Sequence, residues 1–131
     1  MLDTDVVIAA LDRSGRHHRR AAEAIERMIR DEVDLLVSTI NYAEALVRPA
    51  EDEGNLRRAV DAIAALGLTT IAPTATIARD AARYRSLNIS LADGFALATA
   101  RAHSATVASF DRRVRRAVTE LGLELPESLA T

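Results

Sequence analysis

Residues 35–47, LLVSTINYAEALV, hold a strand, a turn and a helix in one short stretch. The apolar run Leu35–Val37 stops at Ser38-Thr39, and helical spacing follows over Asn41–Val47 until Pro49 ends it. One carboxylate, Glu44, lies just past this strand-to-helix junction.

The pattern repeats outward. Between Gly15 and Asp31, His18, Ala21, Ala22, Ile25, Met28 and Ile29 recur at helical spacing, with arginines on the other faces. Leu56, Ala59, Val60, Ile63 and Leu66 form a second stripe, which Gly67 closes ahead of a short strand at Leu68–Ile71. Thr74 caps a helix through Ile77, Ala78, Ala81 and Tyr84; after a break at Leu87-Asn88, Ser90 starts an alanine-rich helix reaching Ala102. Ala105–Ala108 reads as a strand, Asp111–Val118 as a helix ended by Gly122, and Leu123–Leu125 as a last edge strand. Alternating short strands and helices predict an α/β fold of three layers (α/β/α), with a central, mostly parallel sheet and helices on both faces. Ligands of such folds bind beyond the carboxyl ends of the strands.

Composition narrows the chemistry. The 131 residues amount to a single domain, 1–131, with 49% hydrophobic and 27% charged residues. There is no cysteine, which excludes disulfides, thiolate metal sites and cysteine nucleophiles. All 17 basic residues are arginine, which removes every mechanism that needs a lysine. No apolar run reaches the ~20 residues of a membrane span, and the start lacks a charged-then-apolar leader, so the expected location is the cytoplasm without membrane association.

Five acids sit at the junctions: Asp3 and Asp5 after the opening strand, Glu44, Asp93, and Asp111. Singly, each reads as helix stabilisation. Asn41 with Glu44, and Ser90 with Asp93, have capping-box spacing, and Asp111 can cap its own helix. Together they would crowd one edge of a parallel sheet, where two like charges at 4 Å repel by about 4 kcal/mol at an effective dielectric near 20. Such a cluster calls for raised pKa values or a bound cation. Oxygen-only ligation selects Mg²⁺, with Mn²⁺ as the other candidate, over zinc. Ions of this kind activate water against a phosphodiester without a protein nucleophile.

Leu2-Asp3-Thr4-Asp5-Val6, then Ser38–Leu46 with Glu44, then Ser90–Ala100 (SLADGFALATA), then Ser109-Phe110-Asp111, resemble the PIN-domain ribonucleases, and the length resembles the VapC-type toxins among them. The resemblance implies that Asp3, Glu44, Asp93 and Asp111 are the catalytic, metal-binding acids, supported by Thr4, by Asp5 in the family's usual Asn or Ser place, and by Ser109. It further implies an endoribonuclease toxin, a VapB-like antitoxin and a homodimer. The chain departs from the family in having only Met1 and Leu2 before Asp3, which means a short opening strand or a start upstream of Met1.

Arginines gather at Arg13, Arg16, Arg19 and Arg20, beside His17 and His18, and at Arg112, Arg113, Arg115 and Arg116 directly after Asp111; the second group is the candidate RNA contact. Tyr42 and Phe110 flank the acids and are the candidate base stackers, with packing the favoured account of both. Asp3–Val7 also fits the DxDx[TV] pattern of aspartyl-phosphate enzymes, which the missing lysine and missing long strand count against. The alternative of a different class is a non-catalytic α/β protein-binding module whose acids are only helix caps.

Overall fold

Two regular strands, β1 (Leu36–Ser38) and β2 (Thr69–Ile71), pair in parallel, with Leu36 opposite Thr69 and Ser38 opposite Ile71. On the free edge of β1, Met1 and Leu2 run extended in this computed structural model, which describes residues 1–129. The Leu2 amide donates to the Leu36 carbonyl at 2.8 Å, Ala108 N–H to Met1 O at 2.8 Å, and Asp3 N–H to Ala108 O at 3.0 Å. Leu2 and Ala108 form a parallel bridge, and Val107 N–H donates to Glu124 O at 2.9 Å. The middle layer therefore runs β2, β1, Met1–Leu2, 106–108 and then Glu124.

Among the described residues seven α-helices flank this layer: α1 (Thr4–Leu11), α2 (His18–Arg30), α3 (Thr39–Leu46), α4 (Glu53–Ala65), α5 (Ala75–Arg83), α6 (Leu91–Ala102) and α7 (Arg112–Glu120). Alternating side chains of an extended segment point to opposite faces, and the buried residues sort accordingly. Leu2, Leu35, Val37 and Ala108 pack with Val6, Ile25 and Ile63 of α1, α2 and α4. Met1, Leu36 and Val107 face the other way, onto Ile77, Leu97 and Val114 of α5, α6 and α7. Two cores on either side of one thin sheet give the three layers expected, and the chain is α/β as its alternation predicts.

Several boundaries differ. The sequence pattern assigns no element to residues 4–14, yet α1 starts immediately after the extended Met1–Leu2 segment. Asp3 is its N-cap and Asp5 lies in its first turn, so the chain turns into a helix directly at the sheet edge. The helix expected from Gly15 begins at His18, and α3 begins at Thr39, two residues before the expected Asn41, because Ser38 caps it. The expected strands at 105–108 and 123–125 contribute single pairings, Leu2 with Ala108 and Val107 with Glu124, rather than regular strands. The last two residues of the expected 1–131 domain lie outside the described residues.

Helices α5 and α6 pack backbone to backbone. A Cβ on Gly94 would lie 2.7 Å from the Ala81 carbonyl oxygen and 3.3 Å from Ala81 Cα. The alanine-rich sequence of α6 follows from this, since only small side chains allow that approach. Gly94→Ala should therefore lower stability by about 1–3 kcal/mol, although alanine favours a helix interior by roughly 1 kcal/mol. Urea unfolding of the two proteins measures the difference; a variant as stable as wild type would mean that the helices separate at no cost.

Candidate active site

Asp3 stands at the carboxyl end of the Met1–Leu2 segment and is only 2% exposed. Its Oδ1 accepts from Thr4 N–H at 2.9 Å, the N-cap bond of α1, and its Oδ2 accepts from the Ser109 hydroxyl at 2.9 Å. That hydroxyl has one hydrogen, and Asp5 Oδ2 is farther from it at 3.4 Å; Asp5 Oδ2 accepts instead from Phe110 N–H at 2.9 Å. Ser109 Oγ in turn accepts from Asp111 N–H at 3.1 Å. The Ser109–Asp111 loop thus folds around both N-terminal acids, as the proximity of 108 to the central segment requires.

Asp93 closes a capping box on α6: Asp93 N–H donates to Ser90 Oγ at 3.1 Å, and Ser90 N–H donates to Asp93 Oδ2 at 3.2 Å. Asp111 caps α7 through Arg113 N–H at 2.8 Å and Val114 N–H at 3.2 Å. The capping box expected from Asn41 and Glu44 does not form, because α3 starts earlier on the Ser38 cap. Glu44 is instead an exposed residue late in α3 that accepts from the Thr4 hydroxyl at 2.6 Å. Thr4 itself accepts from Asn41 Nδ2 at 3.0 Å. Asn41 is the participant that sequence reading missed. Its signal was present, a polar residue three positions before Glu44 on the same helical face, but the capping-box reading absorbed it.

Electrostatics bind the acids together. Burial, then the charges of Asp5 and Asp93, push the Asp3 carboxyl from its ordinary 3.8 up to about 7, against the opposing hydrogen bonds from Ser109 and Thr4. Burial also raises Asp5, with Asp111 adding to it, while the Phe110 and Val6 amides oppose. Among the described residues none of Asp3, Asp5, Glu44, Asp93 or Asp111 is in an ion pair with arginine or histidine. Asp5 Oδ1 and Asn41 Oδ1 are buried without a hydrogen-bond partner, each at a cost of about 1–3 kcal/mol.

No three Asp, Glu or His side chains among the described residues converge closely enough to enclose a metal ion as they stand. The reason is visible in the caps: Asp93 and Asp111 spend carboxylate oxygens on helix N-termini, and Glu44 is drawn to Thr4. The donor chemistry nonetheless fits a hard divalent cation, being all oxygen, partly desolvated, short of positive charge and left with an orphaned carboxylate oxygen on Asp5.

Around this cluster, Arg112, Arg113 and Arg116 are exposed, whereas Arg115 donates to the Ser109 and Leu129 carbonyls at 3.0 Å each. Phe110 stacks on His17 with ring centroids 4.8 Å apart, and the Arg20 guanidinium lies 5.3 Å from the Phe110 centroid. His18 Nδ1 bonds the Ala9 carbonyl oxygen at 2.8 Å. Cavities of about 300 and 360 Å³ lie under the amino ends of the strands and contain none of these acids, which occupy the opposite edge.

The PIN domain family model matches residues 1–119. The chain belongs to the PIN-domain family. PIN domains are generally nucleases that hydrolyse phosphodiester bonds, and their nucleases generally use divalent metals. The crystal structure of FitAcB from Neisseria gonorrhoeae resembles this PIN domain with a TM-score of 0.69 at 24% identity, covering 97% of this chain and 96% of that one. At that identity the likeness carries the fold. No curated protein matches the sequence. No helix among the described residues is long and apolar enough to cross a membrane.

A pH dependence follows from Asp3. Its carboxyl titrates near 7 in the folded PIN domain and near 3.8 when unfolded, so the folded state holds a proton that the unfolded chain has released. The associated stability is complete below about pH 3.8 and is lost as pH rises through 7. In EDTA, Asp3→Asn should therefore gain stability relative to wild type between pH 4 and 7, on the order of a few kcal/mol. Denaturant midpoints across that range read the gap, and a constant gap would mean that the buried charge costs nothing.

Proposed function

We propose that this PIN domain is a metal-dependent endoribonuclease of the VapC toxin type, restrained by a VapB-like antitoxin. The observation that carries the reading is the buried Asp3 carboxylate, set among Asp5 and Asp93 with no arginine or histidine among the described residues paired to any of the acids. A protein using these acids only for capping has no reason to desolvate one of them beside two others. Asp3, Glu44, Asp93 and Asp111 would hold Mg²⁺, or Mn²⁺ in its place. The cation supplies activation of water and neutralisation of charge at the phosphodiester.

The chain's own groups do the rest. Ser109 and Thr4 N–H fix the two oxygens of Asp3, Phe110 N–H fixes Asp5, and Thr4 holds Glu44. Setting the four acids aside leaves arginine in excess over the remaining carboxylates, and the exposed Arg112, Arg113 and Arg116 lie on the helix that Asp111 caps, where they would grip RNA phosphates. Arg115 belongs to that group by sequence but serves the 109–111 loop. Ile8, Val47 and Leu91 are 44%, 67% and 50% exposed on or beside α1, α3 and α6, giving an antitoxin segment apolar contacts near the acids. The homodimer belongs to the same reading and rests on the family resemblance. The cytoplasm remains the expected location.

The binding-module reading draws on one observation, that Asp3, Asp93 and Asp111 do cap their helices. Asp93→Asn separates the two. Asparagine retains an acceptor for Ser90 N–H, so the variant should keep its circular dichroism spectrum and its melting temperature within a few degrees while losing Mn²⁺-dependent cleavage of total bacterial RNA. If wild type itself cleaves nothing in Mg²⁺ or Mn²⁺ and binds neither, the acids are caps and the domain is a binding module. Arg113→Ala with Arg116→Ala should weaken RNA binding and reduce the slope of log affinity against log salt by about 1–2. A slope unchanged from wild type would acquit this face.

A further inference from the structure

Asn41 is fully buried in the first turn of α3, and its amide touches two of the other elements that carry the acids, α1 and α6. Nδ2 donates to Thr4 Oγ1 on α1 at 3.0 Å and to the Ala92 carbonyl oxygen, next to Asp93 on α6, at 3.2 Å. A carbonyl only accepts, so the amide atom facing Ala92 is the nitrogen, and both of its hydrogens are committed. Thr4 Oγ1, accepting from Asn41, then directs its single hydrogen to Glu44 Oε1 at 2.6 Å. The chain runs in one sense, from amide to hydroxyl to carboxylate, and the Thr4 bond is the only hydrogen bond to the Glu44 carboxylate among the described residues.

We propose that Asn41 is a positioning residue for the acidic site: through Thr4 it sets the carboxylate of Glu44, and through Ala92 it clamps the first turn of α6, so that the acids of α3 and α6 keep a common spacing. This rests on reading the acids as cation-holding. An apolar side chain would fill the same space without leaving Oδ1 unpartnered, so packing alone does not account for an asparagine here. The unpartnered oxygen is retained along with the two donors that organise the site.

The experiment titrates Mn²⁺ calorimetrically into the EDTA-stripped full chain and resolves Mn²⁺-dependent cleavage into kcat and KM, for wild type, Asn41→Leu, Thr4→Val, the double variant and Thr4→Ser. Asn41→Leu and Thr4→Val should each weaken Mn²⁺ binding by roughly 10- to 100-fold and lower kcat with little change in KM. The double variant should lose less than the product of the two single losses, because both substitutions act on the shared link from Asn41 through Thr4 to Glu44, and Thr4→Ser should bind like wild type. A folded Asn41→Leu protein with wild-type Mn²⁺ affinity overturns the proposal alone. Should that variant fail to fold, unchanged affinity in Thr4→Val overturns it equally. Wild type that binds no Mn²⁺ overturns both this proposal and the reading of the acids beneath it.

Discussion

Burial of the Asp3 carboxylate is the constraint on which the site depends. Two extended residues, Met1 and Leu2, occupy the middle of the sheet, bonded on one side to Leu36 and on the other to Ala108, and the next residue emerges at the carboxyl edge already surrounded. A carboxylate in that position loses its water, and the charges of Asp5 and Asp93 make the loss worse. The surroundings respond with donors: the Thr4 amide, the Ser109 hydroxyl and the Phe110 amide all point at the two N-terminal acids. These donors oppose the burial without cancelling it, since the carboxyl remains raised to about 7.

Capping also explains how several carboxylates can stand at one sheet edge. A helix N-terminus offers unpaired N–H groups and a partial positive charge, so it tolerates a carboxylate that would otherwise be repelled by its neighbours. Asp3 on α1, Asp93 on α6 and Asp111 on α7 each use that allowance. Three helices starting at one sheet edge bring their acids to the same side of the molecule, each carboxylate bonded to a helix N-terminus. Glu44 differs in standing late in α3, away from a helix N-terminus, where its carboxylate accepts from the Thr4 hydroxyl.

Packing behind the edge decides where Asp93 stands. The close approach of α6 to Ala81 at Gly94 sets the helix one residue after the acid, and the Asn41 bond to Ala92 holds it one residue before. The arginines divide likewise: Arg115 secures the Ser109–Asp111 loop from behind, while its neighbours on α7 stay exposed.

The sequence by itself determined the alternation of strand and helix, the caps at Thr74, Ser90 and Asp111, and the positions of the acids at junctions, because apolar period and capping chemistry act over a few residues. It did not determine α1, whose apolar residues Val6, Val7, Ile8, Ala9, Ala10 and Leu11 run together without the spaced stripe that marks the other helices. Nor could it place Glu44, since the spacing of Asn41 and Glu44 satisfies a capping box as well as a shared helical face, and only the Ser38 cap chooses between them. The link from Ala92 through Asn41 and Thr4 to Glu44 spans residues 4 to 92, and contacts at that separation exist only once the layers have packed. Tertiary structure alone decided that Asp3 would be buried, because desolvation belongs to the assembled sheet and its helices and to no stretch of the chain.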